Sequence, residues 1–154
     1  MGQDVVPELS PEAIRKFTRA LLRDLQAFER ILADGMIESG IRRFGAEQEM
    51  FLVNEGWRPA PLAVEVLDEL EDPAFTTELA RFNLEANLSP RVLEGKCFAA
   101  MEEELTGFIE QVRAAAAKHG AEIALTGILP TLAKSDLAID NITPKARYHA
   151  LNEA

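Results

Sequence analysis

The chain has 154 residues, 47% hydrophobic and 27% charged, and its 26 acidic and 16 basic side chains give a formal net charge of −10. That length is about one domain at roughly 150 residues per domain, enough to bury a core without disulfides or a structural metal, and the composition excludes a disordered or collagen-like chain. A pI near 4.7 and no basic cluster longer than Arg42-Arg43 argue against nucleic acid or an anionic membrane surface as partner.

The N-terminus, Met1 to Val6, lacks the basic start and long apolar stretch of a secretory signal. The longest uncharged run, Ile123 to Ala133, is eleven residues, well short of the ~20 that span a membrane as a helix. Cys97 is the only cysteine, so no intrachain disulfide can form, which fits a reducing cytoplasm.

Ser10-Pro11 is a helix-start pair, an N-cap followed by proline at the first helical position. Ile14, Phe17, Leu21, Leu25, Phe28 and Ile31 or Leu32 follow at helical spacing, with Arg15, Lys16, Arg19, Arg23, Asp24, Glu29 and Arg30 on the other face and Gly35 as the stop. Such a helix buries its stripe by packing, a homo-oligomer contact being one way to do so. Residues 43–53 then have strand character, and Asn54-Glu55-Gly56 reads as a turn. Residues 61–70 read as a helix, broken by Asp72-Pro73.

Residues 79–88 alternate cleanly. Ala80, Phe82, Leu84, Ala86 and Leu88 point one way, and Arg81, Asn83, Glu85 and Asn87 the other. This predicts a strand of an antiparallel sheet with one apolar and one polar face, ended by Ser89-Pro90. A second long helix is expected from Gly95 to His119, with Phe98, Met101, Leu105, Phe108 or Ile109, Val112 and Ala116 as its buried stripe and Gly120 as its cap. Residues 121–126 form a short buried strand, 127–141 a loop, and Thr143-Pro144 opens a last helix. The predicted fold class is α+β, an antiparallel or mixed sheet with long helices on one face. The expected division is an N-terminal helical segment, 1–42, before a domain running 43–154.

The candidate chemistry is acidic. Glu47 and Glu49 share a strand face, roughly 6.6 Å apart along the chain. Two carboxylates aimed into one space repel unless water or a cation separates them. Mg²⁺ is held by one or two carboxylates plus substrate phosphates. Two solvated glutamates on an open sheet face are the plain alternative. Glu85 adds a third carboxylate, flanked by the amides of Asn83 and Asn87, which hold polar substrates without adding charge. Arg147 can grip a carboxylate or phosphate bidentately, with Tyr148 half-buried beside it, or it is a helix-surface cation. His119 reads as a helix-end residue and His149 as exposed or packed. Neither has a ligand-spaced partner, so zinc is not expected. Cys97 reads as a buried structural thiol. There is no Gly-rich dinucleotide or P-loop motif.

Residues 44–53, Phe-Gly-Ala-Glu-Gln-Glu-Met-Phe-Leu-Val, resemble the opening strand of the bacterial and plant-type glutamate–cysteine ligases, also called carboxylate–amine ligases. Residues 83–90, Asn-Leu-Glu-Ala-Asn-Leu-Ser-Pro, are similar to that family's second acidic strand. Residues 124–130 sit where the family has a small strand ending in Gly-x-x-Pro, and Arg147-Tyr148 resembles its Arg-Tyr pair. Order and approximate spacing agree from about residue 43 to 151. Leu129 stands where the family often has His, so a substrate contact there is expected to be missing or altered. The family's catalytic domain is longer than this chain, which resembles its N-terminal part.

The resemblance implies part of a glutamine-synthetase-like domain and an ATP-dependent ligase, forming a γ-glutamyl-type amide through an acyl phosphate. Glu47, Glu49 and Glu85 are then metal ligands for Mg²⁺ or Mn²⁺, and ATP is co-substrate. Asn83, Asn87 and Tyr148 bind substrate, and Arg147 is the catalytic cation. Partners are small amino acids and ATP. The 154 residues alone are expected to be inactive. A non-catalytic binding or assembly module that retains the acidic sheet face is the alternative.

Overall fold

The computed structural model describes residues 10–153, with side chains through Ala150. Met1–Leu9, where the signals above were sought, and Ala154 lie outside the described residues. In chain order the elements are α1 (Pro11–Ala33), β1 (Arg43–Phe44), β2 (Glu47–Val53), α2 (Ala63–Leu70), β3 (Phe75–Thr77), β4 (Asn83–Asn87), β5 (Arg91–Val92), α3 (Cys97–Lys118), β6 (Glu122–Ala124) and α4 (Ala146–Glu153). Two short 3-10 turns, Lys134–Leu137 and Ile139–Asn141, precede α4. The fold is α+β with antiparallel sheets. It divides into two compact units, Met1–Arg42 with Lys145–Ala154, and Arg43–Pro144.

In the first unit, α1 starts where Ser10 and Pro11 dictate. The Ser10 hydroxyl oxygen accepts from the Ala13 N–H at 3.1 Å, satisfying a donor that the first turn leaves unpaired. At the other end Gly35 takes φ +63°, cheap only for glycine. Its N–H donates to the Leu32 carbonyl (3.2 Å) and the Met36 N–H to that of Ile31 (3.0 Å), the bond pair of a left-handed helix cap. The stripe expected to be buried is not: no residue of α1 is buried, and Ile14, Phe17, Leu21, Leu22, Leu25, Phe28, Ile31 and Leu32 are between 37% and 66% exposed.

The second unit is built on a four-stranded sheet of order β3-β4-β2-β6. One face carries the main core. Met50 and Leu52 of β2, Leu84 and Ala86 of β4 and Phe75 of β3 pack against Ala63 and Val66 of α2 and Val112, Ala115 and Ala116 of α3. Burying each Met, Leu, Phe or Val side chain of this set stabilises the fold by about 1.5–3 kcal/mol, and each Ala by less. The helix layer over this face is thus α2 and α3. On the opposite face Phe51, Val53, Phe82 and Leu129 form a smaller apolar cluster. After α3, Gly120 takes φ +69°, and Ala121 N–H donates to Ala116 O at 3.0 Å, repeating the cap of α1.

Several expected elements differ. The strand expected over 43–53 breaks at Gly45-Ala46. β1 pairs with β5 in a separate two-stranded sheet, and only β2 enters the main one. The strand expected over 79–88 is β4 alone, because a turn precedes it. Asn83 N–H donates to Ala80 O (3.0 Å), and Arg81 N–H is taken by Asn141 O (2.8 Å). Phe82 therefore faces the smaller cluster, opposite to Leu84 and Ala86. Phe98 of α3 is 65% exposed rather than buried, its ring 5.1 Å from that of Phe44. Cys97, expected to be a buried thiol, is half-buried at the start of α3.

The loop after β6 is pinned to the turn after β2. The Arg58 guanidinium donates to the Thr131 carbonyl and pairs with Asp136 at 2.7 Å. The Thr131 hydroxyl donates to the carbonyl of Trp57, whose φ is +58°. Among the described residues no helix is long and apolar enough to cross a membrane.

Candidate functional site

The alternation of β2 puts Glu47 and Glu49 on the face shared with Phe51 and Val53, opposite to Met50 and Leu52. The β2–β4 register sets Glu49 directly across from Glu85, Glu47 across from Asn87 and Phe51 across from Asn83. Thr76 of β3 lies on the other side of Glu85. The acidic and amide positions picked from the sequence on these two strands therefore share one face, continuous with the smaller apolar cluster.

Two asparagines hold the facing carboxylates. Asn83 Nδ2 donates to Glu49 Oε2 at 3.0 Å, and Asn87 Nδ2 to Glu85 Oε1 at 2.7 Å. Asn83 is buried, so its amide is a fixed donor, whereas Glu47 and Glu49 are exposed and Glu85 is half-buried. Beside them lies an open groove of about 540 Å³ lined by Glu47, Gln48, Glu49, Leu125, Thr126 and Gly127.

No cation is paired with Glu47, Glu49 or Glu85 among the described residues. Arg81 was expected on the face of Glu85. Instead, the turn before β4 sends it to Glu65 of α2, at 3.8 Å, and to the Asp140 carbonyl, at 3.5 Å. A fourth carboxylate, Glu78, joins the cluster. Burial raises its pKa above the ordinary 4.5, aided by a hydrogen bond with Glu85 and by the charges of Glu85 and Glu49. Its backbone is fixed from far along the chain, since the Thr143 hydroxyl donates to Glu78 O at 2.6 Å. No sequence signal marked Glu78, which follows a three-residue strand and belongs to no alternating run.

Among the described residues, no group of three or more His, Cys, Asp or Glu is arranged to hold a metal ion by itself. The donor set is nevertheless all oxygen, on an open face. That fits Mg²⁺ or Mn²⁺ bound through one or two carboxylates with the remaining ligands from substrate or water, and does not fit a closed protein cage.

Arg147 and Tyr148 lie in the first unit. The Arg147 guanidinium sits over the Tyr148 ring, 4.5 Å from its centroid, and donates to the Tyr148 hydroxyl. Tyr148 is buried rather than half-buried. Leu129 is buried against Phe51, Val53 and Phe82, so it packs the cluster beside the acidic face. His119 caps α3, its Nε2 3.9 Å from Glu69, and His149 is exposed.

A family model, Glutamate-cysteine ligase family 2 (GCS2), matches residues 43–154. No curated protein and no solved structure matches the chain.

Proposed function

Since the chain belongs to glutamate-cysteine ligase family 2, we propose that its acidic sheet face is the cation and phosphate platform of an ATP-dependent carboxylate–amine ligase. In this reading the γ-phosphoryl group of ATP passes to an oxygen of a substrate carboxylate, the side-chain carboxylate of glutamate being the family's example. The amine nitrogen of a second amino acid then attacks the acyl carbon. A C–N bond forms, the C–O bond to the phosphoryl group breaks, phosphate leaves and the amine gives up a proton.

Glu47, Glu49 and Glu85 are the residues that would hold Mg²⁺ or Mn²⁺. The bound cation supplies neutralisation of phosphate charge. Asn83 and Asn87 aim the facing carboxylates before anything binds, so less reorganisation is left for the reaction. Their remaining amide atoms would bind the polar substrate. In the first unit, taken by itself, Arg147 stacked on Tyr148 carries the donor fork that grips a carboxylate or phosphate. No covalent nucleophile on the protein is required. The larger catalytic fold is glutamine-synthetase-like, and the setting is the cytoplasm.

The observation that carries this reading is the Glu49–Glu85 pair, two carboxylates directly opposed across a ladder with no described cation between them. The test is calorimetric titration of the chain with Mn²⁺ and Mg²⁺, beside ADP release across amino-acid pairs. Weak cation binding, lost in the double variant E49Q/E85Q, and near-background ADP release from residues 1–154 alone are expected. Binding that persists in E49Q/E85Q would overturn the platform.

A further inference from the structure

We propose that α1 pairs antiparallel with α1 of a second copy of the chain through its apolar stripe. This inference concerns residues 11–33, which precede the matched range 43–154, and it is independent of the ligase reading. Eight large apolar side chains of α1 are exposed. A monomer rarely leaves so many large apolar side chains of one helix open.

The order of the stripe points to a second copy as occupant. Ile14, Phe17, Leu21, Leu25, Phe28 and Leu32 read nearly the same in both directions, aliphatic, Phe, Leu, Leu, Phe, aliphatic. Run antiparallel about a two-fold axis between Leu21 and Leu25, Phe17 meets Phe28, and Leu21 meets Leu25, of the other copy. Such an isologous contact closes on itself as a dimer.

The charges agree with that direction. Arg15 and Glu29 lie along the same edge of the stripe, one near each end. Antiparallel pairing brings each against its opposite in the other copy, twice by symmetry. Near the axis Asp24 lies on the other edge and meets Asp24 of the other copy, the one like-charge approach in the antiparallel pair, while Arg23 projects from the face opposite the stripe. Lys16 is engaged by Glu12 of its own helix at 3.5 Å. A parallel pair would instead set Asp24 beside Glu29 of the other copy, five residues apart on opposite edges, where like charges repel.

Sedimentation velocity of the 154-residue chain at tens of micromolar should give about twice the 17.0 kDa chain mass. F17S/F28S should be monomeric with its helical circular dichroism retained. R15E and E29R, each turning two attractions into two repulsions, should each weaken the dimer roughly tenfold, and R15E/E29R together should restore it to within about twofold. A monomeric wild-type chain would overturn the proposal. If that monomer co-sediments with phosphatidylglycerol vesicles, the face belongs to a membrane instead. A dimer that R15E/E29R does not restore would overturn the antiparallel arrangement.

Discussion

Glu49 and Glu85 stand directly opposite each other across the β2–β4 ladder, each held by an asparagine. Opposed like charges on neighbouring strands cost stability, about 0.2–1 kcal/mol per pair. The sheet therefore carries a local penalty at the point where the proposed chemistry needs negative charge.

Replacing Glu85 by Gln should remove that penalty. E85Q is expected to unfold at a higher temperature than the wild type, by up to about 1 kcal/mol of stability at low salt, with the gain shrinking as salt rises. Cation affinity should fall at the same time. Arg81 pairs with Glu65 and not with Glu85, so no structural ion pair is lost. A lower melting temperature for E85Q would show that Glu85 holds the fold together.

Glu78 should give the wild type a pH-dependent loss of stability. Its pKa is raised in the folded state, so the folded chain holds the proton more tightly than the unfolded one. The associated stability is full below about 4.5 and is lost as pH rises through the raised value. E78Q cannot ionise and should flatten that part of the profile, leaving it more stable than wild type above the window. Thermal melts from pH 4 to 8 check this.

Glu104 should act in the opposite direction. The Ser89 hydroxyl, first, and then Arg91 and the Ser89 N–H hold its carboxyl below the ordinary 4.5. Stability from this latch is present above 4.5 and is lost as pH falls through the lowered value. E104Q should cost about 1 kcal/mol at pH 7 and weaken the acid slope, measured by urea unfolding between pH 2.5 and 7.

Leu129 should matter for packing. Leu129→Ala is expected to cost about 2–4 kcal/mol, from lost burial and the cavity left among Phe51, Val53 and Phe82. Leu129→His should destabilise by a similar amount, because the imidazole enters an apolar cluster. A Leu129→His variant as stable as wild type would mean the position faces the site after all. Denaturant midpoints decide between the two.

The long helices were legible because they obey local rules, with Ser10-Pro11 at one start, glycines with positive φ after both ends, and apolar residues at helical spacing between. The facing of Glu47, Glu49 and Glu85 was legible because alternation survives within β2 and β4. What failed was anything that turns on distant partners. Alternation ran on through Ala80 and Phe82, yet bonds from Asn141 and Thr143 fold that stretch into a turn and reverse its faces. β3 and β5 are three and two residues long, too short to show a period. Glu78 reaches the acidic face through the β3–β4 pairing and a hydroxyl 65 residues away. The open stripe of α1 was misjudged because amphipathicity requires a cover without saying which surface supplies it.

Trp57 is the only tryptophan in the chain. It sits 57% exposed on the turn after β2, with its carbonyl tied to the loop that Asp136 and Arg58 anchor. Its fluorescence therefore reports the seating of that loop and not the state of the core. During denaturation the emission should shift at a lower urea concentration than the helical circular dichroism. Quenching of that emission by iodide should rise when the loop lifts away, giving the molecule an intrinsic probe of loop seating that needs no label.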